Sequence, residues 1–454
     1  MKNTKLNKFW DILLSSYWFF PSLMALGGIA LAFAMLALDR TDAIASQKLS
    51  WIYSGGPDGA RELLSAVASS MMTVAVTAFS ITIVALQLAS SNFGPRLLRN
   101  FMQDRGNQIV LGTFIATFLY CLLVLRTIYG ENYNLFVPQF SVTMSIILAI
   151  LGTGVLIYFI HHASTIIQAS YVIASVAEEL DDGINRLFPE AIEQNNCAHT
   201  QQNPTIPDDF DAQARPINSH HTGYLQIIDN RRLLQLSCQH NLVFRLLLRP
   251  GEFIIKHQPL LLVYPGRQVN AKLIHQINQA FVLGRERTEH QDIEFPIDQL
   301  VEIALRALSP GINDPFTAIR CIDRLGAALT QLVQRPMPSA YAYDDRCDES
   351  TLQLRVIAEP ISFETLVDLA FNQIRRYGTS DLVVTTRLLQ AIQLIISHTD
   401  HFPYLVLLGN HAERIFQSSY DRLLDDCDRQ RLTEHYQTVL TLLESRKARI
   451  TPNS

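Results

Sequence analysis

The sequence predicts a mainly α membrane protein: four transmembrane helices, then an α+β region with a small β-hairpin or barrel-like subdomain. Three observations predict it. Four long apolar runs fill the first third of the 454 residues, alternating apolar runs broken by Pro and Gly follow residue 220, and helical periodicity returns from Lys272. The modest mean hydropathy of +0.13 averages these unlike regions.

A hydrocarbon core of about 30 Å needs about 20 helical residues to cross it. Tyr17 to Leu38, Leu63 to Ser90, Ile109 to Ile128 and Phe140 to Ile160 meet that length. Lys2, Lys5 and Lys8, an apolar stretch and then Ala43-Ile44-Ala45 imitate a signal peptide, but Leu13 to Leu38 is too long. A secretory core has about 7–15 apolar residues, so an uncleaved first span is expected. Lys2, Lys5, Lys8, Arg96, Arg99 and Arg105 flank the spans on one side, opposed only by Asp11 and Asp104. The positive-inside rule then puts both termini in the cytoplasm. Trp10, Trp18 and Trp51 fall near the expected interfaces.

The transmembrane domain is expected over 1–162 and a cytoplasmic stalk helix over 163–194, where acidic residues first appear at Glu178. Residues 195–219, rich in Asn, Gln, Asp and Pro, read as a linker. A β-rich subdomain over 220–268 follows from "GYLQIID" and "LVFRLLLRPGEFIIKHQPLLLVYP", the latter resembling the hairpin of a barrel-sandwich hybrid. Residues 269–454 read as mainly helical, with a strand candidate at "LQLRVIA".

A net charge of -5 and a pI near 6.2 lack the basic footprint of a nucleic-acid binder, so no nucleic-acid partner is expected. The six cysteines form no CxxC pair, and no metal or cofactor is expected. No P-loop, GxGxxG, nucleophile elbow or HExxH motif is found, and the chain is not expected to be an enzyme.

The stretches "FSITIVALQLASSNFGPRLLRNFMQDRGNQIVLGTFIATFLYCLLVLR", "GVLIYFIHH" and "QDIEFPIDQLVEIALRALSPGINDPFTAI" resemble the signature blocks of a bacterial membrane-protein family, domain of unknown function 2254. The resemblance implies a multi-pass protein of the bacterial inner membrane. It implies no activity, because the family has no agreed one.

Three constellations are candidate sites. Along the second span Ser70, Thr73, Thr77, Ser80, Val84, Gln87 and Ser91 recur by three and four, on one seam of a helix. Such a seam either packs helices closely or lines a wet path between copies of the chain. No Asp, Glu, Lys, Arg or His lies centrally in any span, which argues against a proton-coupled pump. Arg96, Arg99 and Arg105 either anchor the second-to-third connection on anionic headgroups or form a vestibule that concentrates anions.

The third constellation is a charged corner of Arg285, Arg287, Asp292, Glu294, Glu302, Arg306, Asn313 and Asp314. Glu302 and Arg306 form an i,i+4 pair, and Asp314-Pro315 reads as an N-cap and first-turn proline. The corner is either a salt-bridged helix junction or an anion site at a helix start. His161-His162 and His220-His221 read as interfacial or surface histidines, since adjacent helical residues diverge by about 100°.

Two functions remain open. One is a homo-oligomeric channel with the second spans around its axis, in contact with the lipid bilayer and passing a small anion or other ion. The other is a membrane-anchored scaffold or sensor with a partner- or ligand-binding cytoplasmic domain.

Overall fold

The computed structural model describes residues 18–41, 52–94, 104–128, 136–189, 206–343 and 353–450, in two units divided between Val172 and Ile173. The first unit has four helices long and apolar enough to cross a membrane. They are Phe19–Arg40 (α1), Pro57–Phe93 (α2), Arg105–Leu125 (α3) and Gln139–Ile166 (α4). Each expected span falls on one of them.

Acidic side chains set two of the helix starts. Asp104 accepts from the Asn107 amide at 2.9 Å and caps α3. Asp39, from the end of α1, caps α4 by accepting from the amides of Phe140 (2.9 Å) and Ser141 (3.0 Å) and from the Ser141 hydroxyl (2.6 Å). Pro57 opens α2, where its missing N–H costs nothing.

Helix α3 is the centre of this unit, packing on α1, α2 and α4. Gly28 of α1 permits the closest approach, because a Cβ there would lie 2.6 Å from the Ala116 carbonyl oxygen. Small residues at such crossings let backbones meet where lipid supplies no hydrophobic driving force. Tyr120, fully buried, donates its hydroxyl to the Ser141 carbonyl at 2.9 Å, satisfying its polar end.

The second unit opens within Ala169–Leu187 (α5). Ile173, Val176, Ala177, Leu180 and Ile184 are buried along one stripe, and Leu180 and Ile184 share a small apolar cavity with Ile293, Ile297 and Leu329. Arg335 donates to the carbonyls of Ile184 (3.2 Å) and Phe188 (2.8 Å), serving the open end of the helix. The segment read as a stalk is thus docked on helices of its own unit, because its apolar stripe needs cover.

Part of the stretch read as a linker is ordered: Phe210–Gln213 (α6) and Arg215–Asn218 (β1). There follow Gly223–Ile228 (β2), Asn230–His240 (α7), Val243–Leu246 (β3), Phe253–Ile254 (β4), Pro259–Tyr264 (β5), Ala271–Asn278 (α8) and Phe281–Gly284 (β6). Then come Glu294–Ala307 (α9), Pro315–Val333 (α10), Tyr341–Tyr343 (β7) and Leu354–Ile357 (β8). The chain ends in Phe363–Tyr377 (α11), Leu382–Ser397 (α12), Phe402–Tyr420 (α13) and Asp426–Ile450 (α14).

Two sheets form. One has the order β1-β5-β3-β8-β7, antiparallel except for β3 beside β8; the other is antiparallel β4-β2-β6. Strands β3 and β5 pair as a hairpin would, Phe244 opposite Val263, whereas β4 between them joins the other sheet. Phe244, Leu261, Val263, Leu225 and Leu273 are buried in the core of this subdomain. Strand β6 interrupts the stretch read as helical from Lys272, and β7 and β8 reach the first sheet from beyond residue 340. Strand β8 falls on the strand candidate "LQLRVIA", but its partner β3, more than 100 residues away, leaves no local pattern. The helices α11 to α14 bury Leu366, Phe371, Leu389, Ile392, Leu408 and Ile415, with α11 and α12 also packing on α9 and α10.

Candidate functional site

Helix α2 carries two seams. Ala60, Leu64, Ala68, Met71, Ala75, Ala78, Thr82, Ala85 and Ala89 recur by three and four and are buried. Ser70, Thr73, Thr77, Ser80, Gln87 and Ser91 are all exposed, as is Val84 at 57%. Thr77 lies two positions from Ala75, and Ser80 two from Ala78, which on a helix of 3.6 residues per turn is about 200°. The polar seam therefore faces away from the alanine seam and is not buried by any of the described residues.

Four of the five hydroxyls of that seam donate to their own helix. Thr73 donates to the Ser69 carbonyl (2.8 Å), Thr77 to Thr73 (2.9 Å), Ser80 to Val76 (2.8 Å) and Ser91 to Leu88 (2.9 Å). Each hydroxyl oxygen keeps lone pairs directed outward, so the seam presents acceptors. With 37 residues α2 is ~55 Å long at about 1.5 Å per residue, well beyond a bilayer core.

Of the basic trio, Arg96 and Arg99 lie outside the described residues. Arg105 is exposed at the first turn of α3, its guanidinium 5.9 Å from the Phe20 ring. His162, expected to be merely interfacial, has its Nε2 2.9 Å from the Asp104 carboxylate and stacks on Tyr158 at 5.2 Å. A carboxylate 58 residues away is not visible from local spacing.

The charged corner divides between the two ends of α9, which at 14 residues and about 1.5 Å each are ~21 Å apart. At the start, Arg287 Nε and Nη2 bond the two oxygens of Asp292 (2.8 and 3.0 Å), and Nη1 bonds Asp298 (2.7 Å). Asp292 is 3% exposed and also accepts from the Phe295 amide at 3.2 Å. Burial pulls the Arg287 pKa down, but the carboxylates of Asp292 and Asp298 outweigh it and the net shift is upward. Burial pushes the nearby Glu294 carboxyl up. Gly251 (φ 96°) passes so close that a Cβ there would lie 2.3 Å from Asp292 Oδ2.

At the far end, Arg306 pairs with Glu302 at 3.3 Å. Asp314 caps α10, accepting from the Thr317 amide (3.1 Å) and hydroxyl (2.6 Å), after Asn313 turns the chain at φ 50°. Arg285 is exposed and belongs to neither cluster. Satisfied carboxylates and guanidiniums of this sort are structural braces. No group of three or more His, Cys, Asp or Glu side chains suited to a metal ion occurs among the described residues.

Four long apolar helices joined to an α+β unit define a multi-pass membrane protein. The chain belongs to the family described as predicted membrane protein (DUF2254), whose model matches residues 14–393. It is similar to the uncharacterized proteins Mb1321c of Mycobacterium bovis and Rv1290c of Mycobacterium tuberculosis. Each is 30% identical over 429 residues, covering 92% of this chain and 79% of the relative. No solved structure matches the chain.

Proposed function

We propose that the chain is a passive permeation protein of the bacterial inner membrane, formed when several copies associate with their α2 helices around a common axis. In this reading both termini and the second unit are cytoplasmic. One observation carries it: α2 turns an alanine seam toward its own subunit and leaves Ser70, Thr73, Thr77, Ser80, Gln87 and Ser91 unburied on the other side. The Gln87 amide, exposed and without a side-chain bond among the described residues, is costly against lipid and at home in water. Outward hydroxyl lone pairs suit a hydrated cation better than an anion. Val84, on the same seam, would be an apolar constriction.

Cysteine scanning tests this. Thr77→Cys and Ser80→Cys, in a background lacking the native cysteines, are expected to react with small water-soluble thiol reagents, while Ala75→Cys is not. Flux into proteoliposomes is expected to fall in the Thr77→Val, Ser80→Val pair. No labelling along the seam, together with no conductance from the purified oligomer, would remove the channel.

A further inference from the structure

The second unit contains a groove of about 520 Å³ between the β4-β2-β6 sheet and α8. That lies within the roughly 300–1,000 Å³ of small-molecule sites. Its walls include His220, His221, Phe253, His275, Leu283 and Arg285, and not one of its lining residues is Asp or Glu. Arg285 has no ion-pair or hydrogen-bond partner among the described residues, unlike Arg287 two positions on. A guanidinium at a cavity wall without an ion-pair partner among the described residues leaves its donors to whatever enters.

The histidines sit on fixed backbone. The His220 amide donates to Asn278 Oδ1 (3.2 Å), and Asn278 in turn donates to the Asn218 carbonyl (3.1 Å). The His221 amide faces Ser219 Oγ at 3.3 Å. Neither imidazole bonds a protein group among the described residues, so both present free ring nitrogens. His275 is held by Gln279, Nε2 to Nε2 at 2.7 Å, and its Nδ1 bonds no group among the described residues.

The apolar wall is equally specific. Phe253, on the two-residue edge strand β4, is 54% exposed yet pinned edge-on by Tyr224 at 5.0 Å between centroids. Two of the lining residues are glycines, Gly223 and Gly284, so close that a Cβ on Gly223 would be 2.5 Å from the Gly284 carbonyl oxygen. The lining thus combines a guanidinium and three imidazoles with an exposed aromatic ring.

We propose that this groove binds a small organic anion, its carboxylate or phosphate held by Arg285 and the imidazoles and its flat apolar part laid on Phe253. The inference is independent of the permeation reading. It is tested on the full-length protein in lipid nanodiscs, with empty nanodiscs as blank, by calorimetric titration of phenyl phosphate, benzoate, benzylamine and inorganic phosphate. Phenyl phosphate or benzoate is expected to bind, and whichever is tighter names the head group. Benzylamine is not expected to bind. Arg285→Ala should weaken the preferred anion about tenfold, as loss of a charge-assisted hydrogen bond does. Phe253→Ala should weaken phenyl phosphate and leave inorganic phosphate unchanged. Variants that melt as the parent does but bind undiminished would overturn the site. So would benzylamine binding as tightly as phenyl phosphate, or no binding at millimolar concentration.

Discussion

His162 Nε2 lies 2.9 and 3.0 Å from the two carboxylate oxygens of Asp104, so the end of α4 is tied to the residue that caps the start of α3. The pair is largely shielded, and Gly106 makes room for it: a Cβ there would lie 2.5 Å from His162 Nε2. One carboxylate thereby fixes two helix ends on the same side of the four-helix unit.

Asp104→Ala removes a cap and the imidazole's partner together, and is expected to cost about 1–3 kcal/mol. Asp104→Asn, which keeps an acceptor for the Asn107 amide, should cost less. Thermal melting in detergent reads both; equal melting of parent and Asp104→Ala would refute the brace.

The start of α9 makes a sharper demand. Arg287→Ala leaves Asp292, 3% exposed, without its cation, and a buried ion pair broken on one side costs about 3–5 kcal/mol. Arg306→Ala, at the more exposed pair with Glu302, should cost under about 1 kcal/mol. If the two variants melt alike, the Arg287 network is not the brace described.

The spans, the β-rich region and the Asp314 cap were legible because each is local: apolar length, alternation, and an Asp-Pro pair before an amphipathic stretch. The division of the corner was not, because spacing cannot say that Asp292 serves Arg287 at one end of α9 while Asp314 serves α10 at the other. The Asp104–His162 pair and the groove escaped for the same reason. Both join residues more than 50 positions apart, His162 with Asp104 and His220 with Asn278. The polar seam was visible as a periodicity, but that it faces outward required knowing which side the alanines bury.

Asp314→Ala is expected to destabilise the second unit by about 0.5–2 kcal/mol through the lost cap on α10. Asn313→Gly should be tolerated, since φ 50° is strain-free for glycine, whereas Asn313→Val should cost about 1–2 kcal/mol. A melting temperature that ignores both Asp314→Ala and Asn313→Val would contradict the turn and cap geometry.

His411 on α13 is 1% exposed, and its Nε2 lies 3.1 Å from Asp368 without hydrogen-bond alignment. Burial is the largest influence and pulls its pKa below the ordinary 6.5; Asp368 opposes this, while Arg414 and Arg375 reinforce it. The folded ring is therefore harder to protonate than the unfolded one. Its contribution to stability is complete above the unfolded pKa and is lost as pH falls through 6.5 toward the lower folded value, at no more than about 1.4 kcal/mol per pH unit. Glu294, raised by burial, carries the opposite sign, its stabilisation fading as pH rises. Comparing variants separates the two. The parent should lose melting temperature between about pH 7.5 and about pH 5.5, and His411→Leu should lose less because the titrating ring is gone. Asp368→Asn removes the one carboxylate that favours the charged ring, so its acid loss should be larger than the parent's. An unchanged pH dependence in His411→Leu would show that the ring does not titrate against folding.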